Sequence, residues 1–200
     1  MDAQLFLRSR RSVRRFSEQP VDTNLLKRII ETSTYAPSAH NRQPWRYAVI
    51  ASQRMKKALA DGMAAEFERD LSKDGLAEVE IHRRLERSRN RIEQAPVVII
   101  LCLDESNLDH YSDDRRQGAE TIMGIQSVSM AGLQLLLAAT AEGLGGVWTC
   151  GPLFAPDSVR SVLHLPESWQ PQGMILLGYP DETPQSKDIK SIEEVVKFID

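Results

Sequence analysis

The stretch PVVIILCL, residues 96–103, limits the possible folds of this chain more than any other segment. A continuous apolar run without polar alternation is typical of a β-strand that is buried on both faces. Such a strand lies inside a sheet, and each face of that sheet needs a covering layer. We therefore predict a central sheet that is flanked by helices on both sides.

Helical patterns lie between this strand and the other strand candidates. RYAVIAS, GMILLGYP and the centre of GLGGVWTCGP are short apolar runs bounded by turn residues, as strands usually are. Apolar residues at helical spacing predict helices over residues 2–9, 23–36, 53–72, 76–93, 118–142 and 156–163. No linker or repeat divides the chain, so we predict one domain over residues 1–200.

Several element ends have recognisable signals. Asp2 is a candidate N-cap for the first helix, Pro37 is expected to end the second, and Gly143 is expected to end the long helix in a left-handed conformation. The helices at 53–72 and 76–93 are rich in charge, which predicts exposed positions. The tail KSIEEVVKFID fits either a strand or a helix.

The charge balance and the cysteine usage exclude several classes of protein. A net charge of −3 with 26% charged residues argues against wholesale binding to nucleic acid or membranes. No segment resembles a secretory signal or an apolar run of about 20 residues. One of the two cysteines, Cys102, lies in the buried strand, so we expect no disulfide framework and a cytoplasmic location. The four histidines lack metal-ligand spacing, and no dinucleotide-binding, P-loop, G-x-S-x-G or H-E-x-x-H motif occurs.

The segment RSRRSVRRF crowds five arginines around Ser12. One interpretation is a solvated basic face, the usual fate of a run of like charges. The other is a phosphate site, because guanidinium groups bind phosphate oxygens bidentately. In an extended chain, Arg10, Ser12 and Arg14 would project to one side, whereas Arg11 and Arg15 would project to the other.

The connection APSAHNRQPWRYAVI also allows two interpretations. Pro44 could stiffen a turn and Trp45 could fill the core, which would be purely structural roles. Such roles explain Ser38, Asn41 and Gln43 poorly. Three polar side chains on a rigid loop could instead present donors and acceptors to a planar heteroaromatic ring or a sugar-like chain.

The glycines of GLGGVWTCGPLF could simply close the preceding long helix, or they could allow close approach of a flat ligand to the backbone. Cys150 has no neighbouring histidine or carboxylate in the sequence, so we interpret it as a small packing residue rather than a nucleophile.

Four motifs in order, RRSVRRF, APSAHNRQPWRYAVI, EGLGGVWTCGPLF and LPESWQPQGMILLGYP, resemble the FMN-dependent nitroreductase family. The helical insert from RMKKALADG to RRLERSRNRIEQ is similar to the reductase domain fused to the deazaflavin coenzyme glutamate ligase of actinobacteria. The resemblance implies an α+β fold, a three-layer α/β/α sandwich with a central sheet flanked by helices. It also implies an intertwined homodimer with FMN in two clefts at the interface, and no metal.

The resemblance also implies roles for particular residues. The FMN phosphate would be held by Arg10, Arg11, Ser12 and Arg14. The flavin would be reached from the neighbouring subunit by Pro37, Ser38, Ala39, Asn41 and Gln43. The segment that lies along the reactive edge of the ring would consist of Cys150, Gly151, Pro152 and Leu153. The N–H of Gly151 or Leu153 would donate a hydrogen bond to the reactive nitrogen. Near the C-terminus Lys187 would assist at the phosphate, and Lys190 would replace the arginine that the family often carries at the position of Ile189.

The function implied is transfer of reducing equivalents from NADH or NADPH, through FMN, to a nitroaromatic, a quinone or a similar small acceptor in ping-pong fashion. The flavin would carry the chemistry, so no acid–base side chain is required. Two alternatives remain open: reduction of a deazaflavin biosynthetic intermediate, which the insert favours, and flavin binding without catalysis.

Overall fold

The computed structural model describes residues 2–184 and 188–199. In this part of the chain, one antiparallel sheet has the strand order β1-β2-β4-β3. Its strands are β1 (Trp45–Ile50), β2 (Val97–Asp104), β3 (Gly145–Thr149) and β4 (Trp169–Gly178). The helices are α1 (Ala3–Ser9), α2 (Thr23–Ser33), α3 (Gln53–Lys73), α4 (Glu78–Gln94), α5 (Asp114–Ala141), α6 (Pro156–Leu163) and α7 (Ile192–Val195).

Strand β2 lies in the middle of the sheet, and all of its residues are buried. It pairs with β1 on one side, with Trp45 opposite Leu103, and with β4 on the other, with Val97 opposite Leu177. The prediction of a central, doubly buried strand is therefore confirmed. A register shift between Leu101 and Cys102 marks an irregularity in the pairing of β2 with β4.

Alternate residues of β2 face two separate apolar layers, as the period of a strand requires. Ile99, Leu101 and Leu103 pack with α2 and α5. Ile100 and Cys102 pack with α3 and α6 on the opposite face. The chain thus has the predicted α+β fold with helices on both faces of the sheet.

Several helix ends follow their sequence signals, but α5 begins at Asp114, four residues before the predicted start, and α2 ends early. The carboxylate of Asp2 accepts hydrogen bonds from the first turn of α1, and Gly143 follows α5 with a φ of 79°. Helix α2 ends at Ser33, earlier than the Pro37 boundary, because the chain turns at Thr34 through hydrogen bonds to the last carbonyls.

The interpretation of α3 and α4 as exposed helices is wrong for one face of each. Helix α3 buries Leu59 and Met63 beneath the sheet, and α4 buries Leu85 and Ile92. The many charges occupy the opposite faces and dominate the composition, which hides the short apolar stripes. Among the described helices, α5 alone has the length and composition to cross a membrane, but half of that window is buried inside the fold.

The tail contains one short helix, α7, between extended residues, and the described residues 188–199 are all exposed. Of the two predicted alternatives, strand or helix, the tail thus forms a single helical turn. A capping box stabilises the start of this turn, where Ser191 and Glu194 exchange hydrogen bonds.

Candidate functional site

The N-terminal arginine segment, residues 10–16, runs along the outer edge of β3. Ser12 bridges Gly146 in parallel, and the Val13 N–H donates to the Gly146 carbonyl at 3.1 Å. A Cβ on Gly145 would lie 2.7 Å from Val13 Cγ2, so glycine is needed for this approach. The segment is thereby held against the sheet rather than left as a solvated arm.

The arginine side chains of this segment take different directions. Arg11 turns back, and its guanidinium donates to the carbonyls of Arg8 and Arg10 at 2.6 and 3.0 Å. Arg14 and Arg15 line the same cavity. The expected opposite projection of Arg14 and Arg15 does not keep Arg15 out of the cavity that Arg14 lines.

Glu182 fixes the backbone at these two arginines. Its Oε1 accepts from the N–H groups of Arg14 and Arg15 at 2.5 and 3.2 Å. The Arg14 N–H bond is the main reason that the pKa of Glu182 lies below its usual value. Sequence reasoning missed this residue, since nothing in the sequence links positions 14 and 182.

Two adjoining cavities, which we call the arginine cleft, connect this segment with the end of β3. The larger, of about 560 Å³, contains Arg14, Arg15 and the α4 residues Arg83, Glu86, Arg87, Asn90, Arg91 and Gln94, besides Glu182. The smaller, of about 210 Å³, contains Thr149, Gly151, Met174 and Leu176 together with Arg84, Arg87, Ser88 and Arg91 of α4. Arg87 and Arg91 line both cavities, so the basic cavity and the Gly151 cavity adjoin along α4.

The turn after β3 leaves backbone N–H donors available at the Gly151 end. The Leu153 N–H already donates to the Cys150 carbonyl at 3.1 Å, and the buried Pro152 has no N–H. Within the described residues, the Gly151 N–H makes no hydrogen bond. Cys150 is exposed, and its sulfur accepts from the Trp148 indole N–H at 3.2 Å.

The polar loop, residues 37–43, is built on left-handed backbone. His40, Asn41 and Gln43 have φ values of 51°, 52° and 51°. Non-glycine residues seldom adopt this region, and such strain is frequent at functional sites. Ser38 Oγ accepts from the Gln43 N–H at 3.0 Å, and Gln43 Nε2 donates to Asn41 Oδ1 at 3.2 Å. The side chains of Pro37, Asn41 and Gln43 remain exposed, while Ser38 and Ala39 are partly buried.

Arg42 ties the polar loop to the body of the protein. Its guanidinium donates to the Asn107 carbonyl at 3.1 Å, pairs with Asp109 and lies 3.9 Å from Glu120 of α5. The hydrogen bond to Asp109 raises the pKa of Arg42, and the same contact lowers the pKa of Asp109. Sequence reasoning missed this anchor; the signal was Glu120, a charged residue at the start of the apolar part of α5.

The polar loop and the arginine segment lie far apart in one chain. The loop precedes β1, at one edge of the sheet, beside the Leu103 end of β2. The arginine segment borders β3, at the other edge, where Gly145 pairs with Gly178 at the opposite end of β4. Of the predicted site residues, the structure therefore places Arg14 and Gly151 in two adjoining cavities along α4 and keeps the loop at the other edge of the sheet.

Of the two C-terminal lysines predicted to assist at the phosphate, only Lys190 lies among the described residues. Lys190 is exposed and lines neither cavity of the arginine cleft. Lys187 lies outside the described residues.

The nitroreductase family model matches residues 7–179. The chain belongs to the nitroreductase family. A relative from Bacillus subtilis, provisionally named NAD(P)H nitroreductase YfhC, is 30% identical over 181 residues, which cover 90% of this chain and 86% of the relative.

Solved structures share the nitroreductase fold at lower identity. A BluB-like flavoprotein from Clostridium difficile 630 has a TM-score of 0.81 at 22% identity, with both chains fully covered. A nitroreductase-type protein from Desulfovibrio desulfuricans, solved in complex with FMN, has a TM-score of 0.73 at 23% identity and covers 100% of this chain and 98% of that one. The nitroreductase-like fold inferred from the motifs is thus confirmed.

Proposed function

We propose that this nitroreductase-family chain binds FMN and passes reducing equivalents from NADH or NADPH to a small acceptor such as a nitroaromatic or a quinone. The observation that carries the proposal is the arginine cleft, in which a basic cavity adjoins a cavity lined by Gly151, with Arg87 and Arg91 common to both. A phosphorylated heteroaromatic compound would match both parts, with its anionic phosphate at the basic cavity and its planar ring at the Gly151 cavity.

The residues of the cleft fit this cofactor chemically. Arg14 lines the larger cavity, and its guanidinium group, with Arg10 and the Ser12 hydroxyl of the same segment, would supply charge-assisted donors for a phosphate. Met174, Leu176 and the glycine at 151 offer an apolar, sterically open surface for a flat ring. The absence of any carboxylate from the lining of the smaller cavity suits an electron-rich ligand.

When bound, FMN supplies the hydride and electron transfer, and the chain supplies binding and orientation. The Gly151 N–H would donate to the reactive nitrogen of the ring, since Leu153 uses its own N–H within the turn. Helix α4 covers the cleft and limits access of water. Donor and acceptor would occupy the same space in turn, which is the basis of ping-pong kinetics.

We further propose a homodimer in which the polar loop of one subunit completes the cleft of the other. Within one chain the two lie at opposite edges of the sheet, so only a second copy could unite them. Large exposed apolar side chains support an interface. They include Ile122, Ile125, Met130 and Leu133 on α5, and Phe198 and Ile199 in the tail. We place the enzyme in the cytoplasm.

A second function, reduction of a larger deazaflavin-type intermediate, is favoured by a further cavity of about 390 Å³ between α3, α4 and the turn after β3. Phe67 and Phe154 meet there edge to face with ring centres 6.5 Å apart. Arg84 and Ser88 line both this cavity and the smaller cavity of the arginine cleft. An extended aromatic acceptor could span both spaces.

The deciding experiment is the absorption spectrum of the purified protein, followed by identification of the released flavin and by initial rates with NADH or NADPH. FMN release and parallel double-reciprocal plots with a quinone are expected. Flavin binding without turnover would instead indicate a non-catalytic flavin protein, and a colourless protein that FMN does not activate would refute the proposal.

A further inference from the structure

We infer that the arginines on the cleft-facing side of α4 bind the 2′-phosphate of the nicotinamide donor, so that this enzyme prefers NADPH to NADH. The inference rests on the proposed function. NADPH and NADH differ only in that phosphate, and a preference therefore requires basic groups beyond those that hold the FMN phosphate.

The first observation is the placement of the arginines on α4. Arg83, Arg87 and Arg91 recur every four residues, which puts them on one face of the helix. All three line the larger cavity of the arginine cleft. Like charges at this spacing oppose helix formation. A bound dianion between them would remove that repulsion.

The second observation is that acidic side chains do not neutralise all of these arginines. Arg83 pairs with Glu80, and Arg89, on another face of α4, pairs with Asp61. Arg87 and Arg91 form no ion pair within the described residues. The larger cavity contains five arginines and two glutamates, and Glu182 is already engaged by backbone N–H groups. Positive charge is thus in excess.

The third observation is that the FMN phosphate needs fewer basic groups than the protein offers. One FMN phosphate is satisfied by two or three of the groups at Arg10, Ser12 and Arg14. Arg87 and Arg91 remain, one helical turn apart, and two guanidinium groups at that spacing can bind a phosphomonoester dianion from two sides. The diphosphate linkage of the donor carries only one charge on each phosphate and is the weaker match.

Two other cavities among the described residues do not offer this chemistry. The cavity beside Phe67 contains Asp70 and Asp74, and another between α3 and α4 contains Glu68 and Glu78. Carboxylates would repel a phosphate at either place. In the described chain, the arginine cleft is the cavity that combines unpaired arginines with proximity to Gly151.

The test compares kcat/KM for NADPH and NADH in the FMN-loaded parent, Arg87→Ala, Arg91→Ala and the control Arg89→Ala, which removes an equal charge from another face of α4. The parent should favour NADPH by about tenfold or more. Arg87→Ala and Arg91→Ala should each lose about tenfold with NADPH and less than about twofold with NADH. Arg89→Ala should keep the parental ratio.

A binding measurement that needs no turnover accompanies the rates. Calorimetry should give tighter binding of adenosine 2′,5′-bisphosphate than of adenosine 5′-monophosphate to the FMN-loaded parent, and the difference should vanish in Arg87→Ala. Equal losses with both donors would assign the pair to the diphosphate linkage, and a selective loss of FMN over riboflavin would assign it to the cofactor phosphate. Either result overturns the inference, as does a parent without preference. A parent that oxidises neither donor would refute the proposed function instead.

Discussion

At the scale of single residues, Arg42 is the side chain on which the polar loop depends most. Its partner Glu120 is 2% exposed, and the Oε2 atom of that glutamate has no hydrogen-bond partner in the described chain. Removing the guanidinium would leave a buried carboxylate without its cation, which is costly because the group can no longer be solvated.

Arg42→Ala should therefore lower the free energy of unfolding by about 2 kcal/mol. Arg42→Ala/Glu120→Gln should recover part of that loss, since the orphaned charge is then removed. Urea unfolding of the four proteins in the double-mutant cycle measures both effects. Strictly additive losses would show that the two side chains do not interact.

Glu182 acts on the backbone rather than on another side chain. Its pKa is depressed in the folded protein, so its contribution to stability is present above the unfolded pKa of glutamate. That contribution is lost as the pH falls through the folded value. In Glu182→Gln, stability should therefore fall less steeply between about pH 5 and pH 3 than in the parent. Identical acid profiles would show that the contact to Arg14 and Arg15 is not formed in solution.

At the scale of elements, α5 packs closely against the sheet through a glycine. A Cβ on Gly132 would lie 2.1 Å from Trp148 Cζ3, and a Cβ on Gly173 of β4 would lie 2.5 Å from Cζ2 of the same indole. The ring thus occupies a slot between two glycines, and this slot fixes the distance between helix and sheet.

Gly132→Ala should destabilise the protein by about 1–3 kcal/mol, because the indole must move in a closely packed core. Gly118→Ala is the matched control on the same helix, since its Cβ would meet nothing within 4 Å. It should be neutral or stabilise by about 0.5–1 kcal/mol through helix propensity. Thermal unfolding of the two variants gives the comparison, and equal effects would argue against the slot.

Elements with strong local signals were predictable, whereas long-range partners were not. The apolar run of β2 and the left-handed Gly143 follow from residue type and period. The contacts of Arg42 with Asp109 and Glu120 join residues that are remote in sequence, and no local pattern encodes them. The arginine stripe of α4 was visible in the sequence, but its orientation toward Gly151 depends on how α3 and α4 pack. The sequence likewise suggested phosphate binding by the N-terminal arginines, but not that Arg14 and Arg15 share a cavity with α4.

At the scale of the whole molecule, the proposed dimer makes a quantitative prediction. Arg10→Ala/Arg14→Ala would damage the segment at β3, and Asn41→Ala/Gln43→Ala would damage the loop before β1. If each site takes its segment from one subunit and its loop from the other, a mixed dimer contains one intact site and one doubly damaged site.

Unfolding and refolding the two variants together should restore about a quarter of the parental FMN sites, because random pairing makes about half of the dimers mixed. Each variant refolded alone sets the background. FMN content after gel filtration reports the result. A mixture that binds no more FMN than the average of its components would place both groups in sites made by single chains.

The pairing of Ser12 and Val13 with β3 has a further consequence for handling the protein. The outer edge of β3 would otherwise present unpaired N–H and carbonyl groups, which can template association with other chains. The segment proposed to hold the cofactor phosphate is thus also the cover of a sheet edge. Whatever loosens that segment uncovers the edge, so cofactor-depleted protein should aggregate sooner on storage than cofactor-loaded protein.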